Sequence, residues 1–181
     1  MIGRTLHLSW ILIAFVTLFA PLSLRGATGG RVGCVGLMVS SPQLPAATTQ
    51  SFSATRAIDL ELYVLFTQGD ASRFSRNDHV VELHVFTPRG SLYQSFTIPF
   101  SNDKRFKGQK VRIPGYPEPV AVQVLEKKAW GKGAYQATKF TLPVAGTPII
   151  NNSLYGQWRA EAFVEGDRLA CSKPATFMIT Q

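Results

Sequence analysis

Ile58-Asp-Leu-Glu-Leu-Tyr-Val-Leu-Phe66 decides the fold class. Ile58, Leu60, Leu62, Val64 and Phe66 share one parity, with Asp59, Glu61 and Tyr63 on the other, and a two-residue period is that of a strand with one buried face. Downstream, Thr87-Pro88-Arg89-Gly90 puts proline second and glycine fourth in a tight turn. Pairing Thr87 with Gly90 sets Val85 opposite Leu92 and Val81 opposite Phe96 on an apolar face, and His84 opposite Tyr93 and Glu82 opposite Ser95 on a mixed one. A bulge at Gly90 shifts that register.

The pattern continues to the end of the chain. Val120, Val122 and Val124 alternate, Tyr135 to Leu142 form another strand, Trp158, Ala160, Ala162 and Val164 alternate again, and Ala175, Phe177 and Ile179 close the series. Turn clusters separate them: Pro114-Gly-Tyr-Pro-Glu-Pro119, Gly131-Lys-Gly133, Ala145-Gly-Thr-Pro148 and Glu165-Gly-Asp167. About seven short strands with no amphipathic helix between them predict an all-β fold, an antiparallel sandwich or barrel.

The N-terminus reads differently. Arg4 and His7 precede the apolar run Trp10–Leu24, and small residues follow at Ala27-Thr-Gly-Gly30, the pattern of an export signal. As a helix the run spans only about 22 Å, short of a hydrocarbon core of about 30 Å. The expectation is a signal peptide over residues 1–29, with an uncleaved anchor as the alternative, and a protein that is periplasmic, cell-surface or secreted. Residues 30–55, which include Ser40-Ser-Pro-Gln-Leu-Pro-Ala-Ala-Thr-Thr-Gln-Ser51, lack periodicity and read as an extended arm or linker. Residues 56–181 make the β-sandwich domain.

Cys34 and Cys171 are the only cysteines. In an oxidising compartment an even pair predicts a disulfide, the alternative being two free thiols. Neither belongs to a C-x-x-C pair, and two cysteines are too few for a closed zinc shell.

The segments Leu142-Pro-Val-Ala-Gly-Thr147, Ser153-Leu-Tyr-Gly-Gln-Trp158 and Ala160-Glu-Ala-Phe-Val-Glu-Gly-Asp167 resemble the last strands of immunoglobulin-like or macroglobulin-type modules of secreted and surface proteins. In these a glycine enters a strand of alternating apolar residues that leads to an acidic-glycine hairpin. The resemblance implies an immunoglobulin-like β-sandwich and a module that binds or spaces other molecules. It differs from antibody-type domains in its cysteines, since Cys34 precedes the linker.

Enzyme signatures are missing. The chain has no G-x-S-x-G elbow, no H-E-x-x-H and no phosphate-binding loop; Gly131-Lys-Gly133 lacks both the spacing and the Ser or Thr of one. His79 and His84, five apart, point to opposite faces of a strand. Glu82 and His84 share a face, but two ligands do not make a metal site. No catalytic residue, metal or cofactor is therefore expected.

The chain carries 19 Lys and Arg against 11 Asp and Glu, a formal net charge of +8. Residues 1–29 contribute only Arg4 and Arg25 to that balance, so the remainder stays basic. Such a chain favours acidic partners, and export disfavours nucleic acid among them. The positive charge is clustered: Lys104, Arg105, Lys107, Lys110 and Arg112 surround Phe106, and Lys127, Lys128 and Lys132 surround Trp130. A fold-back at residues 114–119 brings Lys104 and Arg105 beside Lys127 and Lys128 and makes these eight residues a candidate anion-binding set. The leading expectation is a non-catalytic module that binds a protein or glycan of the cell envelope. Binding of an anionic polymer or lipid surface through the basic loops is the alternative, and an enzyme with an unfamiliar site is a third.

Overall fold

The computed structural model describes residues 33–43 and 50–181. The expected signal segment lies outside the described residues, as does much of the Pro/Thr-rich stretch. Among the described residues no helix is long and apolar enough to cross a membrane.

Two sheets share one core. The first is four-stranded: β1 (Gly36–Ser40), β3 (Asp59–Phe66), β10 (Gly133–Pro143) and β9 (Glu126–Trp130), in that order. The second runs β2 (Ser51–Ser53), β12 (Ala175–Thr180), β11 (Gly156–Val164), β4 (His79–Phe86), β5 (Leu92–Ser101) and β8 (Gln123–Val124). A small ribbon of β6 (Lys110–Val111) and β7 (Val120–Ala121) stands apart. Two one-turn helices, α1 (Gln68–Ala71) and α2 (Pro148–Asn151), and a 3₁₀ turn, Lys104–Phe106, complete the order.

Residues 30–55 are more than an arm. β1 pairs antiparallel with β3, and β2 pairs in parallel with β12, so this segment contributes a strand to each sheet. β2 follows the polar, proline-bearing stretch and β1, Gly36-Leu-Met-Val-Ser40, is apolar without alternation; runs of three and five residues give little period to read. The run Val120–Val124, expected as one strand, is likewise two, β7 and β8, because Val122 leaves the ladder and exchanges backbone hydrogen bonds with Gln109 and Gly108.

β3 behaves as its alternation predicts on the inner face, where Leu60, Leu62, Val64 and Phe66 are fully buried. Ile58 does not belong to that row: it precedes the strand, is 57% exposed, and offers its carbonyl to Val144 and Ala145. The outer face departs further from a half-buried strand. Tyr63 and Leu65 are buried there with Ala137, under Met38 and Tyr135.

The β4–β5 hairpin forms with a different register. Gly90 donates to the Thr87 carbonyl as the turn requires, but Gly90 takes φ +83° and Thr87 then bonds to Ser91 instead. A second irregularity between Val85 and Phe86 leaves Tyr93 as an extra residue. Each slip alone exchanges the faces; together they restore them. Val81 therefore meets Ile98, Leu83 meets Phe96 and His84 meets Ser95, two places beyond the simple pairing but on the expected sides, whereas Leu92 and Tyr93, between the slips, lie opposite to expectation: Leu92 is 55% exposed beside Phe86 and Tyr93 packs on the core. The bulge turns Tyr93 edge-on to Trp158, with ring centroids 5.1 Å apart.

Cys34 and Cys171 form a disulfide, with Cα atoms 5.1 Å apart. Cys34 precedes β1 of the first sheet, and Cys171 donates its N–H to Ala162 on β11 of the second. The bridge thus ties the two sheets at the margin of the core.

A basic cleft at the crossing between the sheets

The chain passes from the second sheet to the first at Leu125, between β8 and β9, and a cleft of about 940 Å³ opens beside that crossing. Its walls come from α1, the loop after β5, the crossing itself and the first half of β10. Ala71, Val122, Leu125 and Ala137 give it an apolar lining; Lys104, Lys107 and Lys127 give it charge.

Local hydrogen bonding fixes the loop that carries Lys104 and Lys107. Ser101, fully buried, donates its hydroxyl to the Phe74 carbonyl and accepts from the Asp103 N–H. Asn102 donates to the Ala71 carbonyl at 2.7 Å. Asp103 then caps a single 3₁₀ turn, Lys104–Phe106, by accepting from the Arg105 N–H. It also holds the Arg105 guanidinium, at 2.6 Å, and that hydrogen bond keeps the Asp103 carboxyl below the ordinary value.

On the opposite wall Gln136 donates to Gln68 at 2.9 Å. Gln123 has a structural task. Beyond Ala137 the edge of β10 no longer has β9 beside it, and the Gln123 amide donates to the Lys139 carbonyl and accepts from the Lys139 N–H. One side chain replaces a strand there, so the backbone polar groups stay paired.

The fold-back at residues 114–119 does bring the two basic segments together, but it sorts them. Lys104, Lys107 and Lys127 line the cleft; none of the three takes part in an ion pair among the described residues. Arg105 is neutralised by Asp103. Lys110 and Arg112 belong to the β6–β7 ribbon and its turn, and Lys132 to the β9–β10 turn, all exposed and outside the cleft lining. Lys128 is on the other face of β9 from Lys127, because neighbours on a strand alternate, and its ammonium lies 3.8 Å from the centre of the Tyr63 ring. Expecting Lys127 and Lys128 as a pair ignored that alternation. Lys139 and Glu126 also line the cleft and escaped notice in the sequence, being isolated charges in strands.

The outer face of the first sheet holds a polar cluster of its own. Tyr63 donates to Glu61 at 2.6 Å and Lys139 reaches the same carboxylate at 3.2 Å. Chiefly through the Tyr63 hydrogen bond, the Glu61 carboxyl is held below its ordinary 4.5. Burial first, and then Glu61, push the Tyr63 hydroxyl well above its ordinary 10.0. The signs follow from linkage. The lowered carboxyl stabilises the fold above pH 4.5, and that contribution is lost as pH falls through its folded value. The raised phenol stabilises the fold below pH 10.0, and that contribution is lost as pH rises further. Tyr63→Phe is expected to cost about 1–2 kcal/mol at neutral pH and to flatten the stability profile above pH 10.0. Thermal unfolding across the pH range checks this; an alkaline limb as steep as that of the parent chain refutes it.

His79 and His84 lie apart, as their spacing requires. His79 bonds Glu165 at 2.7 Å and packs against Phe74 and Phe100, while His84 sits by Phe163 on the outer face of the second sheet. Among the described residues no group of three or more His, Cys, Asp or Glu is placed to hold a metal ion. No protein-family model matches the chain, and no curated protein matches it either.

Proposed function

We propose that this chain is an exported, non-catalytic binding module of immunoglobulin-like type, and that its cleft holds an acidic glycan of the cell envelope or extracellular space. One observation carries the reading: Lys104, Lys107 and Lys127 line one cleft, take part in no ion pair among the described residues, and with Lys139 outnumber the single carboxylate there, Glu126. Gathering like charges costs energy unless an anion completes the arrangement. Amide side chains and apolar floor beside the ammonium groups suit a sugar, which offers hydroxyls and C–H faces together with its carboxylates. The cleft lining contains no histidine, cysteine or serine to pair as nucleophile and base. The Cys34–Cys171 bond supports an oxidising compartment, in keeping with the N-terminal pattern.

The test is retention on an immobilised polyuronate, with neutral dextran as control and stepwise sodium chloride. The chain is expected to bind the polyuronate alone and to elute as screening shortens toward about 8 Å and below. The triple substitution K104Q/K107Q/K127Q is expected to weaken retention at least tenfold, whereas K128Q and K132Q leave it nearly unchanged. Equal retention of the triple variant, or of the parent chain on dextran, overturns the assignment.

A further inference from the structure

The longest strand of the second sheet that lacks a full second neighbour is β5. β4 pairs with it from Phe100 to Leu92, but on its other side β8 meets only Phe100 and Ser101. Among the described residues, nothing forms a ladder with that side of residues 92–99. β7 merely stands beside the strand: Gln123 opposes Phe100, so Val120 and Ala121 come level with Thr97 and Ile98 and leave Leu92–Phe96 open.

An open edge presents a row of unpaired N–H and C=O groups, and proteins ordinarily blunt it with charge. The contrast within this fold is sharp. β9, the edge of the first sheet, reads Glu126-Lys-Lys-Ala-Trp130, whereas residues 91–101 contain no charged side chain. Pro99 stands near the end already flanked by β7. The inward-facing Phe96 and Ile98 are only half-buried, although Phe96 packs on Phe140 across the core with centroids 5.9 Å apart. On the same side β10 has lost β9 and relies on Gln123 at Lys139. One flank of the core is thus short of backbone pairing in both sheets.

We infer that the β5 edge, Leu92–Phe96, is a strand-addition site for an extended segment of another polypeptide, neutral through about six residues and acidic at both ends. The charges beside the edge define the occupant. Exposed Arg89 stands in the turn at the Leu92 end, and exposed Lys110 and Arg112 stand on the β6–β7 ribbon at the other, where they outnumber the one carboxylate of its turn, Glu118. A second copy of this chain, in either strand direction, sets basic ends against basic ends. A neutral strand with acidic flanks gains the ladder, covers Phe96 and Ile98, and meets a cation at each end.

The probe is a labelled ten-residue peptide, Val and Thr alternating through its middle six positions with two acidic residues at each end, titrated into the full chain by fluorescence anisotropy. Two versions carry N-methyl groups on alternate residues, one set along each backbone edge; a third has lysine flanks. The acid-flanked peptide is expected to bind and to protect β5 amides from hydrogen exchange. Methylation of one edge weakens it at least tenfold while the composition-matched methylation of the other does not, and lysine flanks weaken it at least tenfold. The double variant R89E/K110E reverses the flank preference. Equal binding of both methylated peptides, or no binding by the acid-flanked one, overturns the inference. So does protection of the same amides without peptide, whether it rises with protein concentration, which makes a second copy the occupant, or is present in the monomer, which makes the chain its own.

Discussion

Replacing both Cys34 and Cys171 with alanine is expected to lower the unfolding free energy by about 5 kcal/mol on the chain-entropy relation. The size comes from the loop that the bond closes, 137 residues in sequence separation. Without the bond, nothing covalent shortens the unfolded chain, and β1 is left with its ladder to β3 and the packing of Leu37 and Val39 on the core. In a domain of this size each kcal/mol moves the midpoint by about 2–4 °C, so thermal unfolding is expected to shift down by about 10–20 °C. Reduction of the parent chain gives the same shift without any substitution. Midpoints that agree within 2 °C between oxidised and reduced protein refute the claim.

Trp158→Ala is the second large effect, about 3–5 kcal/mol for a fully buried aromatic. Trp158 has no exposed surface and donates its indole N–H to the Leu154 carbonyl at 3.0 Å. Its ring stacks near Phe177 at 6.3 Å and receives the edge of Tyr93 at 5.1 Å. Truncation leaves a cavity between β11, β12 and the bulge of β5, and strands the Leu154 carbonyl. Trp158→Phe keeps most of the packing and loses the hydrogen bond, for about 1–2 kcal/mol. Urea unfolding separates the two, since both act on the midpoint with little change in slope. A Trp158→Ala loss below that of Trp158→Phe contradicts the packing account.

How much of this was legible in the sequence depends on run length and on parity. β3 and β11 announce themselves because four or five alternating apolar positions outweigh chance, and their inner rows, Leu60–Phe66 and Trp158–Val164, are buried as the period demands; β10 and β12 are legible mainly as segments bounded by turn clusters. The two slips in the β4–β5 hairpin were legible only in part. Gly90 advertises its positive φ, but nothing in Tyr93 marks it as an inserted residue, because the bulge answers to the ring of Trp158, which is 65 positions away in sequence. β1 and β2 were hidden for a related reason: an edge strand of three to five residues gains its order from a partner and not from its own pattern. At the cleft, the sequence clustered the lysines but did not sort them. Alternation sends Lys127 and Lys128 to opposite faces, and Asp103 takes Arg105 out of play. Lys139 and Glu126 reach the site through long-range pairing, which local composition does not report.

The margin where the bridge sits determines how the module behaves under tension. A pull between Gly33 and Gln181 peels β12 from both β11 and β2, because that strand lies outside the covalent ring, and then halts at Cys171. Beyond that point the load passes along the sulfur bond, and everything from residue 35 to 170 carries no force. The released slack is about ten residues, roughly 35 Å of extended chain. A tethered copy therefore lengthens once by that amount, gives up the β2–β12 edge, and keeps every residue that lines the cleft inside the covalent ring.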